Sequence, residues 1–149
     1  LGRVVLADSS EGMLSVLREK IRAADATNMV PVKLDLMTDP PPAERFDLIL
    51  AQMSLHHVPD VPRVLAAFRG LLREGGRLCI ADLDREDGSF HDAGFIGHCG
   101  FDRNELAACL REAGISIASC ETAFVLKRDR GGRMREYPIF LLVSRIAAI

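Results

Sequence analysis

The sequence predicts an α/β fold: a mostly parallel sheet with helices on both faces and an antiparallel hairpin at its C-terminal end. Three observations predict it. Short β-branched or apolar runs alternate with stretches whose apolar residues recur at helical spacing. Several of those runs close on a polar residue (Asp8, Asp35, Gln52, Asp82), the position from which ligands are held at the carboxyl ends of parallel strands. Two β-rich runs flank the turn-forming segment KRDRGGRM, which reads as a hairpin. The rhythm β-α-β-β-α-β-α-β-β calls for parallel strands joined by right-handed crossovers.

The elements follow in order. Val4–Ala7 reads as a buried strand with Asp8 at its carboxyl end, and Asp8, Ser9 or Ser10 is placed to cap the next helix. Met13, Leu14, Leu17 and Ile21 form that helix's apolar stripe. Val30–Leu34 is a second strand, followed by Asp35, and Pro40–Pro42 is a loop because proline cannot continue a helix or a central strand. Phe46–Ala51 is nearly all apolar, as expected of a strand covered on both faces. A second stripe, Val61, Val64, Leu65, Phe68, Leu71 and Leu72, ends at Gly75-Gly76, read as a helix stop. Arg77–Leu83 is the fourth strand, and the polar stretch from Asp84 to Gly100 a long loop of the kind that often serves as a lid. Asp102 caps a third helix with Glu105 three residues on, and Gly114 ends it. Ile115–Leu126 and Arg135–Ile146 are the hairpin strands.

Composition bounds the function. The chain has 149 residues, 48% hydrophobic and 27% charged, which suits one domain with a real core. A formal net charge of −2 gives no overall attraction to nucleic acid. No apolar run is long enough for a membrane helix. The four cysteines, Cys79, Cys99, Cys109 and Cys120, form no CxxC pair, so reduced thiols in a cytoplasmic protein are expected. Cys79 and Cys109 fall on apolar stripes and read as core.

Asp8 has two readings. Its carboxylate suits the two hydroxyls of a ribose, and it equally suits a helix cap. Asp35, at the end of the adjacent unit, suits an adenine amino group while the next backbone N–H meets a ring nitrogen. In AQMSLHHVPD, residues 51–60, Gln52 offers a donor and an acceptor, and His56 and His57 titrate near neutral pH. His57 is the candidate proton acceptor.

VVLADSSEGML, VKLDL, FDLILAQMSLHHV, LLREGGRLCIADLD and FDRNELAACLREAGI, in that order, resemble the motifs of class I S-adenosylmethionine-dependent methyltransferases. The likeness is closest to the small-molecule group of the ubiquinone/menaquinone-biosynthesis type. The resemblance implies a Rossmann-like sheet of seven strands in the order 3-2-1-4-5-7-6, with strand 7 antiparallel. It implies S-adenosylmethionine as cofactor, held by Asp8 at the ribose, Ser9 and Met13 beside the adenosine, Asp35 and Leu36 at the adenine, and Gln52 near the methionine part. His57 would be catalytic, and His56 and His98 would contact a small-molecule substrate. No metal site is expected: His91, His98 and Cys99 match no common zinc spacing.

One departure stands out. The family's first strand and glycine-rich loop have no counterpart, since only Leu1, Gly2 and Arg3 precede the first strand read here. The chain is therefore expected to form a single, N-terminally incomplete domain, and three outcomes follow. The sequence is a piece of a longer protein; or the strands of Val4–Ala7 and Phe46–Ala51 pair directly; or a neighbouring chain, as in a homodimer, covers the exposed edges. In the loop DREDGSFHDAGFIGHCGFD, which resembles a substrate-covering loop of one methyltransferase subgroup, Phe90, Phe95, Ile96 and Phe101 are expected to fold back onto the body. The basic cluster Lys127, Arg128, Arg130, Arg133 and Arg135 reads as a solvated turn. Two alternatives remain at this point: a degenerate, non-catalytic assembly or regulatory module, and a nicotinamide-dependent dehydrogenase.

Overall fold

The computed structural model describes residues 2–146. It divides into two compact units, one up to Pro40 and the other from Pro41.

The first unit is a strand–helix–strand motif: β1 (Val4–Asp8), α1 (Glu11–Ala23) and β2 (Met29–Lys33), the two strands parallel and in register from Val4 opposite Met29 to Asp8 opposite Lys33. Ser10, of the three capping candidates, is the N-cap; its Oγ accepts from Met13 N–H at 3.3 Å. Leu14 is the fully buried residue of the helical stripe. Pro31 is tolerated within β2 because that strand pairs on one side only.

The second unit holds β3 (Phe46–Gln52), a 3₁₀ turn at Leu55–His57, α2 (Val61–Leu71), β4 (Leu72–Leu83), α3 (Arg103–Glu112), β5 (Ser116–Asp129) and β6 (Met134–Arg145). Its sheet runs β3-β4-β6-β5, with β3 parallel to β4 and β6 antiparallel to both neighbours. The core includes Leu65 of α2, Leu78 and Ile80 of β4, Leu110 of α3, and Phe140 and Leu142 of β6, all fully buried. The two sheets thus reproduce the pieces 3-2 and 4-5-7-6 of the expected order, with the strand at position 7 antiparallel. Among the described residues β1 bonds to β2, and β3 to β4.

Three expectations are corrected. The Gly75-Gly76 pair does not stop a helix. The helix ends at Leu71, and the glycines lie inside β4, where the register with β3 jumps between Phe46–Leu72 and Leu48–Arg77. Gly75 sits at φ +71°, the geometry that lets a strand absorb extra residues as a bulge. Second, β3 is not covered on both faces. Leu48 and Leu50 are 41% and 69% exposed, on a strand with one hydrogen-bonded neighbour. Third, the hairpin strands run further than their apolar residues, because Lys127–Glu136 and Arg128–Arg135 keep the ladder going through charged positions.

Asp102 caps α3 as expected, with Oδ1 accepting from Asn104 and Glu105 N–H at 2.8 and 3.1 Å. Glu105 does not complete a capping box; its side chain pairs with Arg85. Gly114 follows the helix at φ +75°.

Candidate functional site

In the first unit, Asp8 and Asp35 both stand just at or beyond the carboxyl ends of the parallel pair. Asp8 Oδ1 accepts from Ser10 N–H at 2.8 Å, which orients the carboxylate and leaves the acceptor capacity of Oδ2. Asp35 Oδ1 accepts from Met37 N–H at 2.9 Å, while Asp35 N–H donates to Asp39 Oδ2 at 2.8 Å. Both acids are therefore pre-oriented by local turns. Ser9 and Met13 are exposed, Met13 by 52%, and Leu36 is half-buried.

In the second unit, Gln52 is exposed at the end of β3. The chain then turns through Leu55–His57. The register of Gln52 opposite Ala81 brings this turn over Asp82, the penultimate residue of β4. Asp82 is fully buried. Its Oδ2 accepts from Leu55 and His56 N–H at 3.0 and 3.3 Å, and its Oδ1 accepts from Leu83 N–H at 2.8 Å and from His56 Nδ1 at 2.5 Å. Asp82 is thus a buried hub, whereas Asp8 and Asp35 are half-buried.

His56 is correspondingly 1% exposed, with its Nε2 buried and lacking a hydrogen-bond partner. Against it lie His57, at a centroid distance of 4.2 Å, and His91 of the long loop, at 5.0 Å. His91 stacks on Phe95 at 3.7 Å, and its Nε2 is also buried and unpartnered. Partial desolvation of its ring, which still borders solvent, lowers the pKa of His57, and the neighbouring His56 lowers it further against the weaker pull of Asp82. Burial likewise lowers His91, helped by His56, His57 and Arg128 and opposed by Glu86. Both rings are therefore favoured as neutral imidazoles near pH 7.

His98 stands elsewhere. Its backbone N–H donates to His56 O at 2.7 Å and its Nε2 to Val58 O at 2.9 Å, so the ring pins the loop to the turn. It also lines a cleft of about 240 Å³ with Val61, Phe101 and Leu106. The structure thus gathers His56, His57 and His91, and leaves His98 and the exposed Cys99 outside that group.

The long loop folds back through Phe90, which is buried, and through Phe95 and Phe101, which are half-buried; Ile96 is fully exposed and takes no part. The basic cluster is not simply a solvated turn. Arg128 lies over the Phe90 ring at 4.6 Å and donates to Phe90 O at 2.7 Å. Arg130 pairs with Asp92 at 2.7 Å, Arg135 with Asp87 at 2.5 Å, and Lys127 with Glu136 at 2.9 Å. The Ser89 hydroxyl and the Arg135 guanidinium hold the Asp87 carboxyl at about 2, so this tie persists until strongly acidic pH and is lost as pH falls through that value. Arg128→Ala is expected to loosen the loop, since both the ring contact and the carbonyl bond go. Limited proteolysis checks this: cleavage within residues 85–100 rises several-fold while the rest of the chain stays resistant.

The family profile described as a methyltransferase domain matches residues 2–78, and the chain belongs to that family. A demethylmenaquinone methyltransferase of Listeria welshimeri is 37% identical over 84 residues, which are 56% of this chain and 36% of that protein. The chain thus spans about a third of the length of such curated relatives. Among solved structures, an S-adenosylmethionine-dependent methyltransferase from Clostridium acetobutylicum superposes with TM-score 0.73 at 13% identity, over 98% of this chain and 76% of that one. The [4+2]-cyclase SpnF superposes with TM-score 0.77 at 16% identity, over 99% and 67%. These two likenesses establish the fold; that one of them is a cyclase illustrates that fold alone does not assign chemistry.

Proposed function

We propose that this chain is the greater part of the catalytic domain of an S-adenosylmethionine-dependent methyltransferase acting on a small-molecule acceptor. The observation that carries the reading is the pair of pre-oriented acids, Asp8 and Asp35, closing two adjacent parallel strands inside the segment that matches the methyltransferase family. The family membership favours this over a nicotinamide-dependent dehydrogenase.

Asp8 suits the ribose: Oδ1 is anchored by Ser10 N–H, and Oδ2 is an acceptor for a hydroxyl. Asp35 suits the adenine amino group, with Leu36 N–H next to it for a ring nitrogen. Ser9 and Met13 suit the adenosine edge, and Gln52 the methionine part. Bound S-adenosylmethionine supplies an electrophilic methyl group on a sulfonium. The protein's part is to orient the acceptor and exclude water. An acceptor that loses its proton needs a base, and His57 fits that role because partial desolvation and His56 keep it neutral. His56 is tied to Asp82 and orients its neighbours, while His98 borders the cleft beside α2 and α3 where an acceptor would lie. Reduced thiols, a cytoplasmic setting and a homodimer are consistent with this reading.

Asp8→Ala and Asp35→Ala, made in the full-length protein, are each expected to weaken S-adenosylmethionine binding by about tenfold or more, the effect of losing a hydrogen bond to a charged group. Titration calorimetry measures this. Unchanged affinity in both variants refutes the assignment; absence of any binding by the wild-type full-length protein favours a non-catalytic module.

A further inference from the structure

We infer that His56, His57 and His91 form a binding site for a zinc-class divalent cation, with Asp82 orienting His56 and one coordination position left open. Each of the three imidazoles offers a ligand nitrogen, and these atoms lie within 4.8 Å of one another. A tetrahedral zinc site with metal–nitrogen bonds of about 2.0–2.1 Å has its ligand nitrogens roughly 3.4 Å apart. Small side-chain rotations toward a common centre close that gap.

Two features separate this cluster from histidines that merely pack. First, the nitrogens are short of partners. Nε2 of His56 and Nε2 of His91 are both buried without a hydrogen bond, an arrangement native interiors avoid unless something occupies the site. Second, the surroundings are those of a metal ligand set. Asp82 accepts from His56 Nδ1 at 2.5 Å, which fixes the proton there and leaves the Nε2 lone pair free. The stack of His91 on Phe95 sets the second ring, and Phe90 closes the apolar wall at 4.9 Å from His91. Asp82 on the His57 side, and Glu86 on the His91 side, supply negative charge against the opposing Arg128.

Three nitrogen ligands from the chain leave a fourth position for water or for an anionic oxygen, the pattern of sites that do chemistry rather than only hold a fold. A bound cation takes the His57 lone pair, so this site and a proton-acceptor role for His57 exclude one another at any one moment. The inference does not depend on methyl transfer, because its readout is metal uptake.

The test uses zinc and cobalt(II) salts with the metal-stripped full-length protein. Equilibrium dialysis with elemental analysis is expected to find one zinc per chain. Cobalt(II) is expected to give the intense visible absorption of a tetrahedral site. His57→Ala and His91→Ala are each expected to weaken zinc binding at least tenfold, and Cys99→Ala, which replaces an exposed thiol, to leave it unchanged. His57 is exposed and borders solvent, so its replacement keeps the fold and circular dichroism verifies that; it decides the matter where His91→Ala unfolds. No zinc uptake by the wild type, octahedral cobalt spectra, or undiminished binding by His57→Ala overturns the inference.

Discussion

Replacing Asp82 by alanine is expected to destabilise the protein by about 3–5 kcal/mol, the cost of leaving several buried donors without their shared acceptor. The side chain is fully buried and accepts four bonds, from Leu55, His56 and Leu83 N–H and from His56 Nδ1. Alanine leaves those donors without acceptors in a site too enclosed for each to find water, and an unsatisfied buried donor retains its whole desolvation cost. For a chain of this size the melting temperature falls by roughly 10 °C. Urea unfolding followed by circular dichroism tests it: the midpoint drops while the slope stays constant. Asn at the same position keeps the shape and part of the bonding and is expected to lose less. A change in stability below about 1 kcal/mol for Asp82→Ala would contradict the burial and bonding described.

The second large effect is expected at Gly100. It sits at φ +69°, and a Cβ there would lie 2.1 Å from Asp84 O and 2.9 Å from Leu83 O. The approach exists because Phe101 N–H donates to Leu83 O and Arg85 N–H to Phe101 O, both at 2.9 Å, closing the base of the long loop. Gly100→Ala must therefore push these backbones apart. Left-handed backbone costs an alanine roughly 1–2 kcal/mol, and the two bonds add about 1 kcal/mol each, for a total of about 3–4 kcal/mol. Gly131→Ala is the control: its φ of +66° carries the backbone cost, but nothing lies within 4 Å of a Cβ there. Hydrogen exchange at the Arg85 and Phe101 amides locates the damage. Equal losses for the two variants would rule out the close approach.

Much of this fold was legible in local pattern. Element order, the cap of α3, the parallel pairs and the antiparallel hairpin follow from periodicity, capping residues and turn chemistry, which act within a few residues. What failed involved partners distant in sequence. Gly75-Gly76 has the same local signature as a helix stop; only the offset pairing of β3 and β4 makes it a bulge. FDLILA reads as doubly covered, yet apolar composition does not say what packs on each face: Leu50 is 69% exposed while Ala51, on the other face, is buried. At the site, the strand-end positions of Asp8, Asp35 and Gln52 were readable, because they depend only on where each strand stops. Asp82 reads as a strand-end acid, but its bond to His56, 26 residues away, is not written in any local pattern. By sequence His91 stands with its loop neighbours His98 and Cys99, whereas the loop's return path sets it beside His56 and His57. The useful signal lay in the pair itself: two histidines just past one parallel strand and an acid near the end of the next.

The arginines that fasten the long loop do so mainly through exposed charge pairs: Arg130 with Asp92, Arg135 with Asp87, and Arg85 with Glu105. Such pairs weaken as dissolved ions screen them, over a length that falls from about 10 Å at 0.1 M to about 3 Å at 1 M. The aromatic contacts beneath them do not weaken that way. Ionic strength therefore acts on the loop's outer fastening and spares its inner packing, so added salt frees the rim around Asp87 and Asp92 while Phe90 stays seated.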